Sequence, residues 1–523
     1  MDRHLSRDEG RFLTRQFQGR LGFVFCGVLA IFVASYGLSA AADDVATKEA
    51  EPGSTAKSKA EGSTSWAVIY MQGKRVGHIR SNSKPLTEDG QDLLQHDAEM
   101  VMKLSRFGQT VQTEMKIQSV ADEDDNVRRF MTTMKAGPGV MKSEGVVEDG
   151  ELKLDLSTLG KTRSEIIPWD GKVKGFFARD RSFEVDPMKP GDQRTIKMLV
   201  PMVSSPAEVE LKAIGYETTD LLSGERKLLR IDSKTTISAN GANTSMDETI
   251  YVDSAGVTMK SVIPAMQQIT YRTTKEIALG DFDPEELDLG ELSIVKVEVP
   301  ADLNRRASAR FRATFKSGDP SNSFKSGGAQ KVSKLDDHSV EIAITPAAKS
   351  ADENDPPTAG DRAANGMIQS DNAKIVEMAA KIAPQEKDPE RLALAIERHV
   401  YDGIQKKDFT QVLATAAEVA ENMQGDCTEH AVLLAALARA RDLPARVSIG
   451  LVYARHLGGF GYHMWSEVWT GDRWLPLDGT LGRGGITPSH IKIAHSNLKG
   501  GGPFAAVMPV ATVMGNLSLE FLE

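Results

Sequence analysis

From Trp66 to about Leu279 apolar residues recur at every second position in short runs, among them Trp66-Ala67-Val68-Ile69-Tyr70, Val111-Gln112-Thr113-Glu114-Met115-Lys116-Ile117 and Lys227-Leu228-Leu229-Arg230-Ile231. Alternation of period two places one set of side chains on one face of a pleated strand. Turn signals such as Glu88-Asp89-Gly90, Glu148-Asp149-Gly150 and Asp253-Ser254-Ala255-Gly256 separate the runs. The pattern predicts a large antiparallel β domain over residues 66–290. Three further strand candidates, 292–299, 309–315 and 338–345, predict a small β subdomain over 291–345, interrupted by a Gly/Ser/Lys-rich loop at 316–331. The Ala, Asp, Asn, Pro and Gly of residues 346–366 read as a linker.

Beyond residue 367 the period changes. Asp388-Pro389 has the form of an N-cap with proline at the first helical position, and Leu392, Ile396 and Val400 then share one stripe. Thr415-Ala416-Ala417-Glu418 has the form of a capping box opening a short helix that ends near Gly425. A third helix is predicted from Cys427 to Arg441, halted before Pro444. The period then returns to two, with strands expected at 445–453, 462–470 and 473–478. Helices followed by an antiparallel sheet define an α+β domain over 367–523.

The first 42 residues read differently again. Arg3, Arg7, Arg11, Arg15 and Arg20 precede an apolar run from Leu21 to Leu38, and Ala40-Ala41-Ala42 follows, the layout of an export signal peptide. The run is at the short edge of what spans a bilayer, so an N-terminal membrane anchor is the alternative, and either places the bulk of the chain outside the cytoplasm, in the periplasm, outside the cell or held at the membrane. Residues 43–65 carry almost no large apolar side chains and read as a flexible tether. At 523 residues the chain predicts several domains, and 40% hydrophobic with 26% charged residues is the balance of an ordinary globular protein. A net charge of -10 supplies no basic field for phosphate backbones and argues against a nucleic-acid partner.

Of the two cysteines, Cys26 lies inside the apolar run, so cleavage at the alanines leaves Cys427 alone and no intramolecular disulfide. Taken singly, Cys427 is a small buried hydrophobe. Its neighbours change that reading. Gly425-Asp426 places it at a helix N-terminus, where unpaired N–H groups and the helix dipole favour a thiolate and can meet a developing oxyanion, although apolar burial works the other way. His463 lies in a strand on whose one face Trp465, Glu467 and Trp469 also fall. Asp478 follows on the next strand, where a carboxylate can fix an imidazole tautomer and stabilise its charged form.

Four segments together carry a family resemblance: Gly425-Asp426-Cys427-Thr428-Glu429-His430-Ala431, Leu443-Pro444-Ala445-Arg446-Val447, His463-Met464-Trp465-Ser466-Glu467-Val468 and Trp474-Leu475-Pro476-Leu477-Asp478. In order and spacing they resemble the bacterial transglutaminase-like core, over about residues 367–493. The resemblance implies a papain-like architecture with Cys427 as nucleophile, His463 as general base and acid, and Asp478 as the orienting acid. It implies acyl transfer at a carboxamide of a peptide or protein substrate, through a thioester resolved by water or by an amine. Hydrolysis is the first expectation and protein-glutamine cross-linking the second. The opening Tyr70–Gly77 segment is similar to the curved half-barrel sheets of exported bacterial domains, whose concave face either cradles an apolar ligand or peptide or is filled by its own side chains.

Gln424, Asp426 and Trp465 are candidates for substrate or oxyanion contacts, with Trp465 equally a core residue and Gln424 equally an exposed one. Glu467 is the alternative third member of the triad. Cys427-x-x-His430, with His456 and His463, suggests zinc, but a closed structural site wants four ligands and no second cysteine is present in the domain, so neither a metal nor another cofactor is expected. Competing readings are a non-catalytic peptide- or protein-binding module and a structural protein of the cell envelope. A loop at 456–461 containing Gly458-Gly459 is either a moving element of the cleft or simple hairpin geometry.

Overall fold

The structure is a computed structural model that describes residues 63–523 apart from short stretches at 107–108, 137–138, 159–160, 202–205, 240–241, 284–286, 288–293, 317, 348–354, 406–413, 500–505, 507–508, 511–512 and 514. The export signal and nearly all of the tether lie outside the described residues. The architecture is mixed α+β and mostly β, in two compact units: one of the described residues up to 289 with those of 500–512, the other of residues 290–499 and 513–523.

The first unit is a 14-stranded antiparallel sheet running from β1 (Ser63–Met71) to β14 (Gln268–Thr273), in which β1 pairs with β14 as well as with β2 (Lys74–Glu88). The Gln72-Gly73 turn joins β1 to β2 with both residues at positive φ, 50° and 77°, a combination that matches the right-handed twist of a hairpin. One face of the sheet is covered by the chain's own residues. Trp169, Val173, Phe176, Phe177, Phe183 and Met188 are buried around α1 (Ala178–Val185), with Phe177 stacked on His96 at 5.1 Å and Phe176 edge-on to Phe130 at 5.3 Å. Phe183 and Met188 join Ile196, Val209, Leu229, Ile231 and Ile250 in one apolar cluster.

The second unit contains two sheets. In the smaller, β16 (Ala309–Phe315) lies between β18 (Ser339–Ile344) and β23 (Leu517–Phe521), with β17 (Gln330–Lys334) on the outer side of β18. The 309–315 and 338–345 strand expectations correspond to β16 and β18. Only Val295–Lys296 (β15) of the expected 292–299 strand is paired, against Phe460 and Gly459, and Gln330–Lys334 forms a strand where most of that stretch had read as loop. The residues read as a linker are tied down in part: Asp355 pairs with Arg446, and Thr358 and Asp361 form a capping box.

The larger sheet places β20 (Gly459–Trp469) between β19 (Ala445–Ala454) and β21 (Trp474–Leu477), with β22 (His490–Ser496) on the far side of β19. Among the described residues four α-helices accompany it. Asn372 caps α3 (Ala373–Lys381), and Asp388 caps α4 (Pro389–Gly403) by accepting from Arg391 N at 2.9 Å. Thr415 and Glu418 make the reciprocal capping box of α5 (Ala416–Asn422). The last, α6 (Cys427–Arg439), is buried along nearly its whole length, as its Ala/Leu/Val-rich sequence requires of a helix apolar on every side. Ser466 Oγ on β20 donates to Ala431 O at 2.8 Å and ties helix to sheet. The edge of β22 is covered by a side chain: Gln330 donates to Lys492 O at 2.7 Å and accepts from Lys492 N at 2.8 Å, imitating a strand partner.

Candidate active site

The site begins with the chain's entry into α6. Gly425 has φ 147°, and a Cβ there would lie 2.3 Å from Glu429 Cβ, so only glycine fits. Asp426 is the N-cap: its side chain accepts from Thr428 N at 2.9 Å and from the backbone of Glu429, while its own N–H donates to Glu429 Oε2 at 2.9 Å. Glu429 is fully buried and its other oxygen accepts from Ala414 N at 3.0 Å, which fastens the approach to the helix. Burial and then the Asp426 charge push the Glu429 carboxyl well above its usual range. Cys427 is thereby fixed as the first helical residue, half-buried and not in a disulfide.

His463, on the central strand β20, directs Nε2 to Asp478 Oδ2 at 2.8 Å, and both residues are buried. The His463 imidazole and the backbone N–H of Met464 both favour the ionised form of the Cys427 sulfur. The His463 Nδ1 is buried and has no nitrogen or oxygen hydrogen-bond partner among the described residues. Burial would lower His463, but the charges of Asp478 and Cys427 and hydrogen bonds to both outweigh it and raise it to about 10. Asp478 lies at the end of β21 and collects four N–H donors. His463 and His490 Nε2 (3.1 Å) meet Oδ2, and the backbone N–H groups of Thr480 (2.9 Å) and Leu481 (3.3 Å) meet Oδ1. Despite burial, His463 and His490 hold the Asp478 carboxyl well below the usual range.

The thiol does not follow the helix-dipole expectation. Desolvation and then the Asp426 charge push Cys427 above the ordinary thiol value, against the opposing pull of His463 and Met464 N–H. Burial is the first reason and the cap the second: Asp426 occupies the N–H groups of Thr428 and Glu429 and sets a carboxylate where the bare helix end offers positive potential.

The remaining candidates fall in different places. Gln424 is half-buried three residues before Cys427, its N–H donating to Asn422 Oδ1 at 3.0 Å. Trp465 is buried, its ring 6.3 Å from His463 in a near-parallel stack and 5.4 Å from His490 edge-on. Glu467 is engaged elsewhere, accepting from Lys492 Nζ at 2.6 Å and Arg446 Nε at 2.8 Å, so that Asp478 alone of the two carboxylates reaches His463. His430 is buried and hydrogen-bonds through Nδ1 to Asp426 O within its own helix, and His456 sits in the β19–β20 hairpin turn.

Two residues at the centre of the site carried no signal in the sequence. Glu397 on α4 accepts from Asp478 N at 3.1 Å and from Gly485 N at 2.9 Å, so it holds both ends of the loop that follows the carboxylate. Desolvation lifts Glu397 to about 7, against the backbone N–H groups that lower it. It sits beside Ile396 in a helix whose apolar stripe gave no reason to single out one glutamate among several. His490 opens β22, a strand whose alternation is masked by the burial of both faces. Among the described residues, His463, Asp478 and His490 are the group with donor atoms spaced for a metal, within 4.8 Å of one another. The carboxylate oxygens are already saturated by four N–H donors, and the array reads as hydrogen-bonded.

The structure thus brings together a thiol at a helix N-terminus, an imidazole on the adjoining antiparallel strand β20 and a carboxylate just past the end of β21. Residues 376–479 match the model of the transglutaminase-like superfamily, and the C-terminal region is a transglutaminase-like domain. No curated protein matches the chain. Among solved structures, the chain is similar to a "putative cysteine protease" from Cytophaga hutchinsonii, at 16% identity and a TM-score of 0.26, over 40% of this chain and 83% of that one. It is also similar to a β-barrel-like protein of a domain of unknown function from Brucella abortus, at 8% identity and a TM-score of 0.29, over 40% of this chain and 94% of that one.

Proposed function

We propose that the transglutaminase-like domain is a cysteine-dependent acyl-transfer enzyme that hydrolyses peptide or amide bonds. Cys427 Sγ, its proton passed to His463, attacks the carbonyl carbon and forms a tetrahedral intermediate. That intermediate collapses as the C–N bond breaks, with His463 returning the proton to the leaving amine, and a thioester remains on Cys427. Water, deprotonated by His463, then attacks the thioester and releases the acid and the thiol. Asp478 holds the imidazole by Nε2 and stabilises its charged form, leaving Nδ1 for the sulfur. The Cys427 N–H and the Gln424 side chain are assigned to the oxyanion, and Trp465 walls the histidine. The arginine-flanked apolar N-terminal segment supports placing this activity outside the cytoplasm.

The observation that supports the reading best is the 2.8 Å His463–Asp478 contact with the opposite ring nitrogen unclaimed by any nitrogen or oxygen. The test is the rate of Cys427 alkylation against pH in the native chain, His463→Ala and Asp478→Asn. Both substitutions remove charge that assists the thiolate, so both should slow labelling at neutral pH and move its midpoint upward. Equal profiles for all three proteins would refute a coupled site and favour a binding module.

A further inference from the structure

We infer that His490 is a positioning residue of the site, a neutral imidazole whose Nε2–H shares the Asp478 carboxylate with His463 and so limits how tightly Asp478 holds the His463 proton. The inference rests on the proposed thiol site and concerns its regulation.

Both imidazoles reach the same oxygen, His463 Nε2 at 2.8 Å and His490 Nε2 at 3.1 Å. An ionised carboxylate only accepts, so both nitrogens must carry hydrogen. The far side of His490 is then decided by Thr487. Its N–H lies 3.3 Å from His490 Nδ1 and can donate to an unprotonated Nδ1, while its hydroxyl donates to Asn304 Oδ1 at 3.0 Å. The Thr487 carbonyl at 3.2 Å would be served only by a second proton, giving an imidazolium. Burial opposes that charge most strongly and the charge of His463 opposes it as well, and together they outweigh Asp478 and the Thr487 carbonyl, which favour it. The ring cannot turn away, because it lies edge-on to Trp465 at 5.4 Å and to His463 at 6.0 Å.

The charged and titratable groups around the array are His463 and Glu467 on β20, Lys492 on β22, Glu397 on α4, Cys427 on α6 and Asp426 at its cap. Glu467 and Lys492 neutralise each other at 2.6 Å, and Glu397 faces the backbone side of Asp478. His490 is therefore the side chain that competes with His463 for Oδ2. A carboxylate shared between two donors attracts each less than a carboxylate given wholly to one. Without His490, the Asp478 charge concentrates on His463, which then releases its proton less readily as a general acid.

The experiment uses the full chain with 15N-labelled histidine, and follows the ring nitrogens of His490 and His463 by NMR alongside Cys427 alkylation. In the native chain His490 should be the neutral Nε2–H tautomer at neutral pH. An imidazolium or an Nδ1–H tautomer overturns the inference without any variant. His490→Phe should move the His463 Nε2–H resonance downfield and raise the His463 titration by about one unit. His490→Gln, whose amide can donate to the same oxygen, should restore the native values, a rescue that a purely structural role does not produce. Native tautomer and labelling with an unshifted His463 in a folded His490→Phe protein also overturns it, and leaves the thiol site standing. Native labelling that is indifferent to His463→Ala instead defeats the underlying reading.

Discussion

Replacing Glu397 by glutamine removes a titration that the fold has moved to about 7. A carboxyl whose folded value is raised is held in its protonated form, so the folded state loses stability as pH rises from the unfolded value towards the folded one. Below the ordinary glutamate value of 4.5 both states are protonated and nothing is lost; above about 7 both are ionised and the loss is complete. At roughly 1.4 kcal/mol per unit, a displacement of about 2.5 units amounts to about 3 kcal/mol, of which about 2–3 kcal/mol falls between about pH 5 and about pH 8.5. The residue is buried and its oxygens are met by the backbone N–H groups of Asp478 and Gly485, so screening by solvent is slight.

Urea unfolding across that pH range measures the effect. Of the five tryptophans, Trp66 and Trp169 lie in the N-terminal unit, and replacing both by phenylalanine leaves Trp465, Trp469 and Trp474 to report on the C-terminal one. In that background the stability difference between native and Glu397→Gln should change by about 2–3 kcal/mol in favour of the glutamine as pH rises. The absolute offset includes the cost of setting an amide N–H against a backbone donor, but that offset does not vary with pH. Parallel profiles for the two proteins would refute the displaced titration.

Three further outcomes are expected. Asp426→Asn keeps an efficient N-cap while removing the charge that helps raise the Cys427 thiol, so the alkylation profile should move to lower pH with stability changed by less than about 0.5 kcal/mol, read by iodoacetamide kinetics and denaturation. Glu467→Ala leaves Lys492 buried without its carboxylate and should cost about 3–5 kcal/mol in urea unfolding, whereas Glu390→Ala, whose Arg473 pair is part-exposed, should cost less than about 1 kcal/mol. Gly450→Ala would set a Cβ 2.0 Å from Ile491 O and 2.8 Å from Trp465 Cη2, where backbone cannot yield cheaply. A loss of about 1–3 kcal/mol is expected by thermal unfolding, with slower Cys427 labelling because Trp465 is the ring stacked on His463.

The elements that the sequence made legible are those whose ends carry their own chemistry. Asp388-Pro389, Thr415 with Glu418, and Gly425-Asp426 each open a helix by a local hydrogen bond, and α4, α5 and α6 begin where those residues require. The strands of the 14-stranded sheet that alternate, such as Pro206–Leu221, do so because one face is buried and the other exposed. β19 and β22 are buried on both faces, so alternation carries less information there. The spacing of the apolar residues still marked β19, but nothing marked β22, and His490 and Lys492 were missed with it. β17 and β23 escaped notice because their pairing is non-local: β23 joins β16 across some 200 residues, and no period within five residues reports such a partner. The triad candidates were legible as residue types in order. Their supporting shell was not, because Glu397 acts on backbone N–H groups, which leave no mark on the sequence.

That shell bears on how the thiol works. A helix N-terminus alone would lower the Cys427 thiol, yet the residue that starts this helix, Asp426, takes up the Thr428 and Glu429 N–H groups and adds a negative charge beside the sulfur. The reactive state must then draw its stability from the other side. His463 supplies it: once it has taken the thiol proton, the imidazolium is stabilised by Asp478 and favours the thiolate it faces. The two groups titrate as a pair, and the position of the shared proton reflects the opposition between Asp426 and Asp478. Glu397 fixes Asp478 by its backbone and His490 divides its charge, so neither carboxylate acts at full strength on the pair. A nucleophile held between two opposed charges can release its proton to His463 on attack and recover it when the thioester is cleared, which a thiolate locked permanently by the helix end could not do as readily.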